Sequence, residues 1–241
     1  MPNVRSRQSR SPQALSQLIG SIYDCVLDPS RWHTTLDAIN AAVECKSSIL
    51  YLFDRSHQKF LMMKITGVDE RYWGRVIEKY GPDICRYAIA DEASGHSIDE
   101  PRLMSQMPRA VIERSRYVQE VLKPAQLIDV LSLHLLLTPA RIASLGIARH
   151  ESKGRVAQRD MELAALLLPH LRRALMIGDV LDLRTIERAR MAEALDALRC
   201  GVVLINMHAA ILHANSAAEQ DRKSTRLNSS HRSLSRMPSS A

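Results

Sequence analysis

The stretch Ile128–His150, IDVLSLHLLLTPARIASLGIARH, decides the fold. Two short runs, Ile128–Leu137 and Ile142–His150, flank Thr138-Pro139-Ala140, where a proline suits a turn and not a paired strand interior. His134 alternates within SLHLLL, which reads as a strand residue at a sheet face and not as a catalytic group. Glu151–Gly154 ends the second run. The pair reads as a β-hairpin.

Working upstream, SSILYLFD (47–54) and KFLMMKITG (59–67) form another strand-like pair, joined by the polar stretch Arg55–Gln58. Before them, Ser11-Pro12 starts a helix carried by Leu15, Leu18, Ile19, Ile22 and Val26, and Asp28-Pro29 starts a second, carried by Trp32, Leu36, Ile39 and Val43. Both starts place a capping side chain ahead of a proline at the first helical position. Between the hairpins, DERYWGRVIEKY (69–80) reads as a short helix ended by Gly81-Pro82. Residues 82–106 read as loops with short helices, and Pro108–Leu122 as helical, closed by Lys123-Pro124. Two helices, a hairpin, helical insertions, a second hairpin and a long helix predict an α+β domain with a single antiparallel sheet flanked by helices.

Downstream, Asp160 to about Leu198 reads as one long helix or two in series, with Pro169 as a kink or break. Leu167, Leu171, Ala174, Gly178 and Leu181 keep 4-3 spacing, Thr185 and Arg188 interrupt it, and Met191, Leu195 and Leu198 resume it. That seam suits an interrupted two-stranded coiled coil in the later part. For the first turns, the crowd of apolar residues at 163–168 favours packing on the chain's own sheet. GVVLI and AAILHAN then read as two short strands, and the serine-rich, basic stretch from 221 to 241 as disordered.

The net charge of +7 is confined to the ends. Residues 1–12 carry +3 and residues 221–241 carry +4, while 13–220 balance 25 basic against 25 acidic residues. A neutral body with basic tails has no footprint for wrapping DNA. No apolar run is long enough to span a bilayer, and the basic N-terminus lacks the apolar region of a secretory signal, so a cytoplasmic location is expected. Cys25, Cys45, Cys85 and Cys200 lie far apart and read as buried, reduced thiols.

Two phrases carry a family resemblance. LDPxxW (Leu27, Asp28, Pro29, Trp32) lies within residues 15–39, and LxPHLxRA (Leu167, Pro169, His170, Leu171, Arg173, Ala174) opens residues 166–183. Together they resemble the N-terminal, GAF/PAS-like sensory region of LuxR-type helix-turn-helix transcription regulators, over residues 13–200. GVVLINMHAAILHANSAAEQ (201–220) resembles the opening strands of a PAS domain through Ile211, Asn215 and Ala217, although its turn lacks the usual acidic residue and glycine. RKSTRLNSSH and SRMPSSA near the end resemble a recurring ending produced by translation of sequencing-adapter DNA. The expected organisation is therefore a disordered basic N-terminus (1–12), a GAF/PAS-like sensory domain (13–160), a linker helix (161–200), an incomplete PAS hairpin (201–220) and a non-native tail (221–241). The resemblance implies a truncated regulator fragment that reaches DNA only through a missing C-terminal domain, and the 4-3 seam leads to the expectation of a homodimer through the linker helix.

Enzyme chemistry is not expected. GxSxG, HExxH, Walker A and GxGxxG motifs are missing from the sequence, and the nine histidines are scattered. No cofactor or metal is expected. Tyr72, Trp73, Tyr80 and Tyr87 form the densest aromatic group in a chain with only 4% aromatics. They line a ligand pocket over the sheet or pack an inserted helix against it. The alternative functional readings are the GAF/PAS input region of a histidine kinase or cyclic-dinucleotide signalling protein, and a small-molecule-modifying enzyme.

Overall fold

The computed structural model describes residues 11–223, without the side chains of Glu70, Tyr87, Asp91, Glu92 and residues 182–190. It falls into two units that divide after Gly178. The expectations for residues 1–10 and 224–241 lie outside the described residues.

Helix α1 (Pro12–Leu27) begins as its sequence dictates: the Ser11 hydroxyl accepts the Ala14 N–H at 3.1 Å and proline fills the first turn. Asp28 then caps a short 3-10 turn, Pro29–Arg31, by accepting from Ser30 N, and α2 (Trp32–Ala42) follows directly. The LDPxxW phrase thus has a mechanical meaning. Asp28 and Pro29 turn the chain and Trp32 enters the core, while Leu27 is left on the surface, 86% exposed.

The sheet is antiparallel, five-stranded, in the order β2-β1-β5-β4-β3. Its strands are β1 (Ser47–Asp54), β2 (Lys59–Thr66), β3 (Arg102–Leu103), β4 (Leu127–Leu137) and β5 (Arg141–His150). Both expected hairpins form, and β1 joins them by pairing with β5 from Ser47↔Ala148 to Asp54↔Arg141. The short edge strand β3 lies within 82–106, expected as loops with short helices, and pairs Arg102 with Ser132 and Leu103 with Leu131. Gly67, at φ +79, closes the second strand against β1, where a Cβ would lie 2.0 Å from the Lys46 carbonyl oxygen.

Alternation along the strands feeds two cores. Leu50, Leu52, Leu131, Leu133, Leu145 and Ile147 face α1, α2 and the start of α5 (Gln158–Asp196). Tyr51, Phe53, Ile142 and Ala148 face the opposite layer. That layer is α3 (Glu70–Ala93), a 3-10 turn (Met104–Gln106), α4 (Arg109–Arg114) and a π-helical turn (Val118–Leu122).

One local expectation needs correction, and two alternatives left open by the sequence are decided. Helix α3 does not end at Gly81-Pro82 but runs through Pro82 to Ala93, so residues 82–93 are helix and not loop. The reason is an unbroken apolar face: Trp73, Val76, Tyr80, Ile84, Cys85 and Ala88 are all buried, while the Pro82 ring is exposed. Burial of that face outweighs the one backbone bond that proline forfeits. Pro169 likewise sits exposed inside an α5 assigned without a break. Leu167, Leu171 and Ala174 pack into the sheet core, as the apolar crowd at 163–168 favoured for the first turns, so any seam between copies begins after them. Thr185 and Arg188 lie outside the described side chains.

In the second unit, β6 (Val203–Ile205) and β7 (Ile211–Ala214) form a separate two-stranded sheet. Residues 216–223 are helical, so the disorder expected from 221 does not hold for 221–223. Nor are all four thiols buried: Cys25 and Cys85 are, Cys45 is partly so, and Cys200 is exposed. Among the described residues no helix is long and apolar enough to cross a membrane.

Candidate functional site

Strand β5 explains why there is a cavity. Beyond Ile142, the residues it sends to the second core, Ser144, Gly146 and Ala148, are small, whereas those it sends to the first include Leu145 and Ile147. The floor is therefore low under α3, and the side chains above do not fill it. The cavity is about 50 Å³. Its floor is completed by Ser47, Ile49 and Tyr51 of β1 and by Val130, Ser132 and His134 of β4. Trp73, Ile84 and Ala88 of α3, with Met104, Met107 and Tyr117, form the roof, and Arg102 and Leu103 form the side.

A polar file crosses this apolar chamber. Tyr51, Ser144 and His134 are register neighbours on three adjacent strands. The Ser144 hydroxyl donates to the Leu133 carbonyl at 3.1 Å, which leaves the His134 Nδ1–H to donate to Ser144 Oγ at 3.2 Å. Burial pushes the Tyr51 hydroxyl well above its ordinary range, opposed by a hydrogen bond between Tyr51 and Ser144. Burial also pushes the Cys85 thiol up to about 12, against a hydrogen bond from Tyr51. Burial thus favours the neutral form of both groups, and thiolate character is disfavoured at Cys85. No carboxylate lines the chamber, and Arg102 is its one permanently charged neighbour among the described residues. Such walls suit an uncharged, mostly apolar small molecule with one or two hydrogen-bonding groups.

The aromatic group separates by position. Trp73, 3% exposed, lines the cavity. Tyr80 is buried beside it, in ring contact with Tyr117, and donates its hydroxyl hydrogen to Glu120. Tyr72, 46% exposed, points to solvent and is not among the lining residues. The Tyr87 side chain lies outside the described residues. Sequence reasoning missed the floor. The signal was present in RIASLGIARH, where alternate positions 144, 146 and 148 are all small. His170 does not reach this chamber: its Nδ1 lies 3.1 Å from the Tyr23 hydroxyl, with the rings edge to face, tying α5 to α1. Among the described residues no three His, Cys, Asp or Glu side chains gather to hold a metal ion.

No family model matches the sequence, and neither does any curated protein. Solved structures do resemble it. The ligand-binding domain of VqsR from Pseudomonas aeruginosa aligns with a TM-score of 0.52 at 13% identity, covering 68% of this chain and 96% of that one. A domain of a two-component sensor histidine kinase protein from Sinorhizobium meliloti aligns at 0.40 and 22% identity, covering 68% and 96%. SdiA from Escherichia coli aligns at 0.39 and 13% identity, covering 67% and 68%. The VqsR likeness shows a shared α+β fold, with one antiparallel sheet between two layers of helices.

Proposed function

We propose that this chain is the sensory region of a LuxR-type transcription regulator, acting in the cytoplasm, and that the chamber under α3 receives its signal. The observation that carries the reading is the chamber itself. A sheet floor kept low by Ser144, Gly146 and Ala148, crossed by a buried Tyr51–Ser144–His134 file, is a binding arrangement. Its hydroxyl and thiol are held in their neutral forms, which favours recognition over catalysis. The VqsR domain of similar fold is described as ligand-binding, and the LDPxxW and LxPHLxRA phrases support the regulator family. The chain pairs with a second copy through α5 beyond Leu175, where Met176, Ile177, Val180 and Leu181 are exposed. Contact with DNA belongs to a separate helix-turn-helix domain.

The test is a thermal-shift screen of small neutral amphiphiles, with carboxylates and amines of equal size as controls. It is run on the wild type and on Gly146→Val, whose added methyls occupy the chamber beside Val130. A binder present at about 100 times its dissociation constant stabilises by about 2.7 kcal/mol. Neutral compounds should raise the melting temperature of the wild type and not of the variant. Compounds that shift both proteins equally, or none that shift either, would overturn the reading.

A further inference from the structure

Arg172 of α5 reaches the walls of the chamber from outside. Its Nη1 donates to Asp99 Oδ1 at 2.6 Å, and its Nη2 donates to the Ile98 carbonyl at 2.7 Å and to the His134 carbonyl at 3.2 Å. Ile98 and Asp99 lead into β3, whose Arg102 and Leu103 form the chamber's side. His134 is held from both directions: its ring lies in the chamber on Ser144, and its carbonyl lies on Arg172. The strand is irregular at that point, with a register shift between His134 and Leu136. We propose that Arg172 is the joint through which the state of the chamber is passed to α5, an inference that rests on the sensory reading above.

Three physical steps link the His134 ring to the helix. A bulged strand yields locally where a regular ladder does not, so a change at the His134 ring moves its own peptide first. A guanidinium is a planar, rigid fork, so motion of the acceptors it grips is carried to the helix and is not lost in a flexible stem. The helix, packed on the sheet as far as Leu175, then shifts with the acceptors that Arg172 grips. A contrast with an arginine of β5 distinguishes a joint from a fixed anchor. Arg149, seated against the start of α5, places all five of its N–H groups on the oxygens of Gly154, Val43, Glu44, Arg155 and Asp160. Arg172 leaves its Nε buried with no hydrogen-bond partner among the described residues. A seat that leaves a donor unspent is separated from other seats by less than one that uses all five.

The experiment is a double-mutant cycle on the full chain, read by hydrogen–deuterium exchange of the amides between residues 179 and 196. Ser144→Ala removes the hydrogen bond that holds the His134 ring. Arg172→Lys keeps a cation for Asp99 but cannot span both carbonyls, and Arg172→Met removes the cation as a second test. Thermal melts confirm that each protein folds. Ser144→Ala should change exchange in this segment on the order of 2- to 30-fold with Arg172 present, and leave it unchanged in both Arg172 variants. An equal change in all backgrounds reduces Arg172 to a brace and overturns the proposal, as does no change in any. The sensory reading is judged separately by the small-molecule screen. Binding without coupling in the cycle sinks the joint alone, and coupling without binding sinks the sensory reading alone.

Discussion

Arg149 Nη2 and Asp160 Oδ2 meet at 3.3 Å with their side chains 2% and 0% exposed, an ion pair withdrawn from water. The pair joins three elements. Arg149 holds the carbonyls of Val43 and Glu44 just past α2, at 2.6 and 2.9 Å, while Asp160 accepts the Ala157 N–H at 3.2 Å and so caps the start of α5. Arg149→Met strands a buried carboxylate and several carbonyls, and should cost about 3–5 kcal/mol in urea unfolding. Adding Asp160→Leu removes the orphaned charge, so the double variant should lose less than the two single losses combined. Strict additivity would show that the pair is not coupled.

Gly81 lies against the second strand, where a Cβ would meet Phe60 Cε2 at 2.7 Å. Phe60 is itself wedged between Tyr51 and Phe53, in edge-to-face contacts with centroids 5.7 and 5.0 Å away. Gly81→Ala would ordinarily favour a helix, but here the added methyl must displace a packed ring. A loss of about 1–3 kcal/mol in denaturant unfolding is expected. A gain in stability would mean that Phe60 moves freely.

The same region shows where sequence reading succeeds and where it stops. The strands were legible because Ile128–His150 and Ser47–Gly67 alternate and are punctuated by turn residues, and the caps because Ser11-Pro12 and Asp28-Pro29 are local signals. Pro82 misled because its cost is local, while the compensation, burial of Ile84, Cys85 and Ala88 against β1 and β5, is tertiary. The chamber was half legible. Trp73 stood out as an aromatic, but Ser144, Gly146 and Ala148 matter for the volume they leave empty, which becomes visible only when α3 is placed above them.

Glu120 accepts hydrogen bonds from the Tyr80 hydroxyl, from Arg116 Nε at 3.0 Å and from Lys79 Nζ at 3.2 Å, and these hold its carboxyl down to about 2 from an ordinary 4.5. The folded value lies below the unfolded one, so this contribution is present above pH 4.5 and is lost as the pH falls toward 2. The group is exposed, which keeps the effect small and sensitive to salt. The stability difference between wild type and Glu120→Gln should be constant above pH 4.5 and close toward pH 2. A difference that stays level through that window would show that the carboxylate's charge contributes nothing.

Asn215 is the polar centre of the second unit. Fully buried, its Oδ1 accepts the Val202 and Ala218 N–H groups at 2.8 and 3.0 Å, and its Nδ2 donates to the Leu195 and Cys200 carbonyls at 2.8 and 3.0 Å. One side chain ties the end of α5, the β6–β7 hairpin and the following helical segment. Asn215→Ala removes four hydrogen bonds, and Asn215→Asp removes the two donors. Both should abolish amide protection at Val203–Ile205, because a lone hairpin is marginal in water. Retained protection in the alanine variant would mean that the strands hold themselves.

That hairpin also decides the effect of deleting residues 201–241. Its apolar residues are uncovered: Val203, Leu204, Ile205, Ile211 and Leu212 are all exposed, and Met207 is 92% so. Two strands with no covering layer among the described residues contribute little burial and present unpaired edges that attract other chains. The sheet of the first unit, by contrast, is complete before Gly178, with its cores closed by residues no later than Leu175. The deletion should therefore shift the melting temperature of that unit by less than about 2 °C, which corresponds to less than about 1 kcal/mol for a domain of this size. It should also raise the concentration at which the protein stays monodisperse in light scattering. If the deletion instead lowered the melting temperature by about 10 °C, residues 201–241 would carry part of the first unit's stability, and the division after Gly178 would not describe how the chain unfolds.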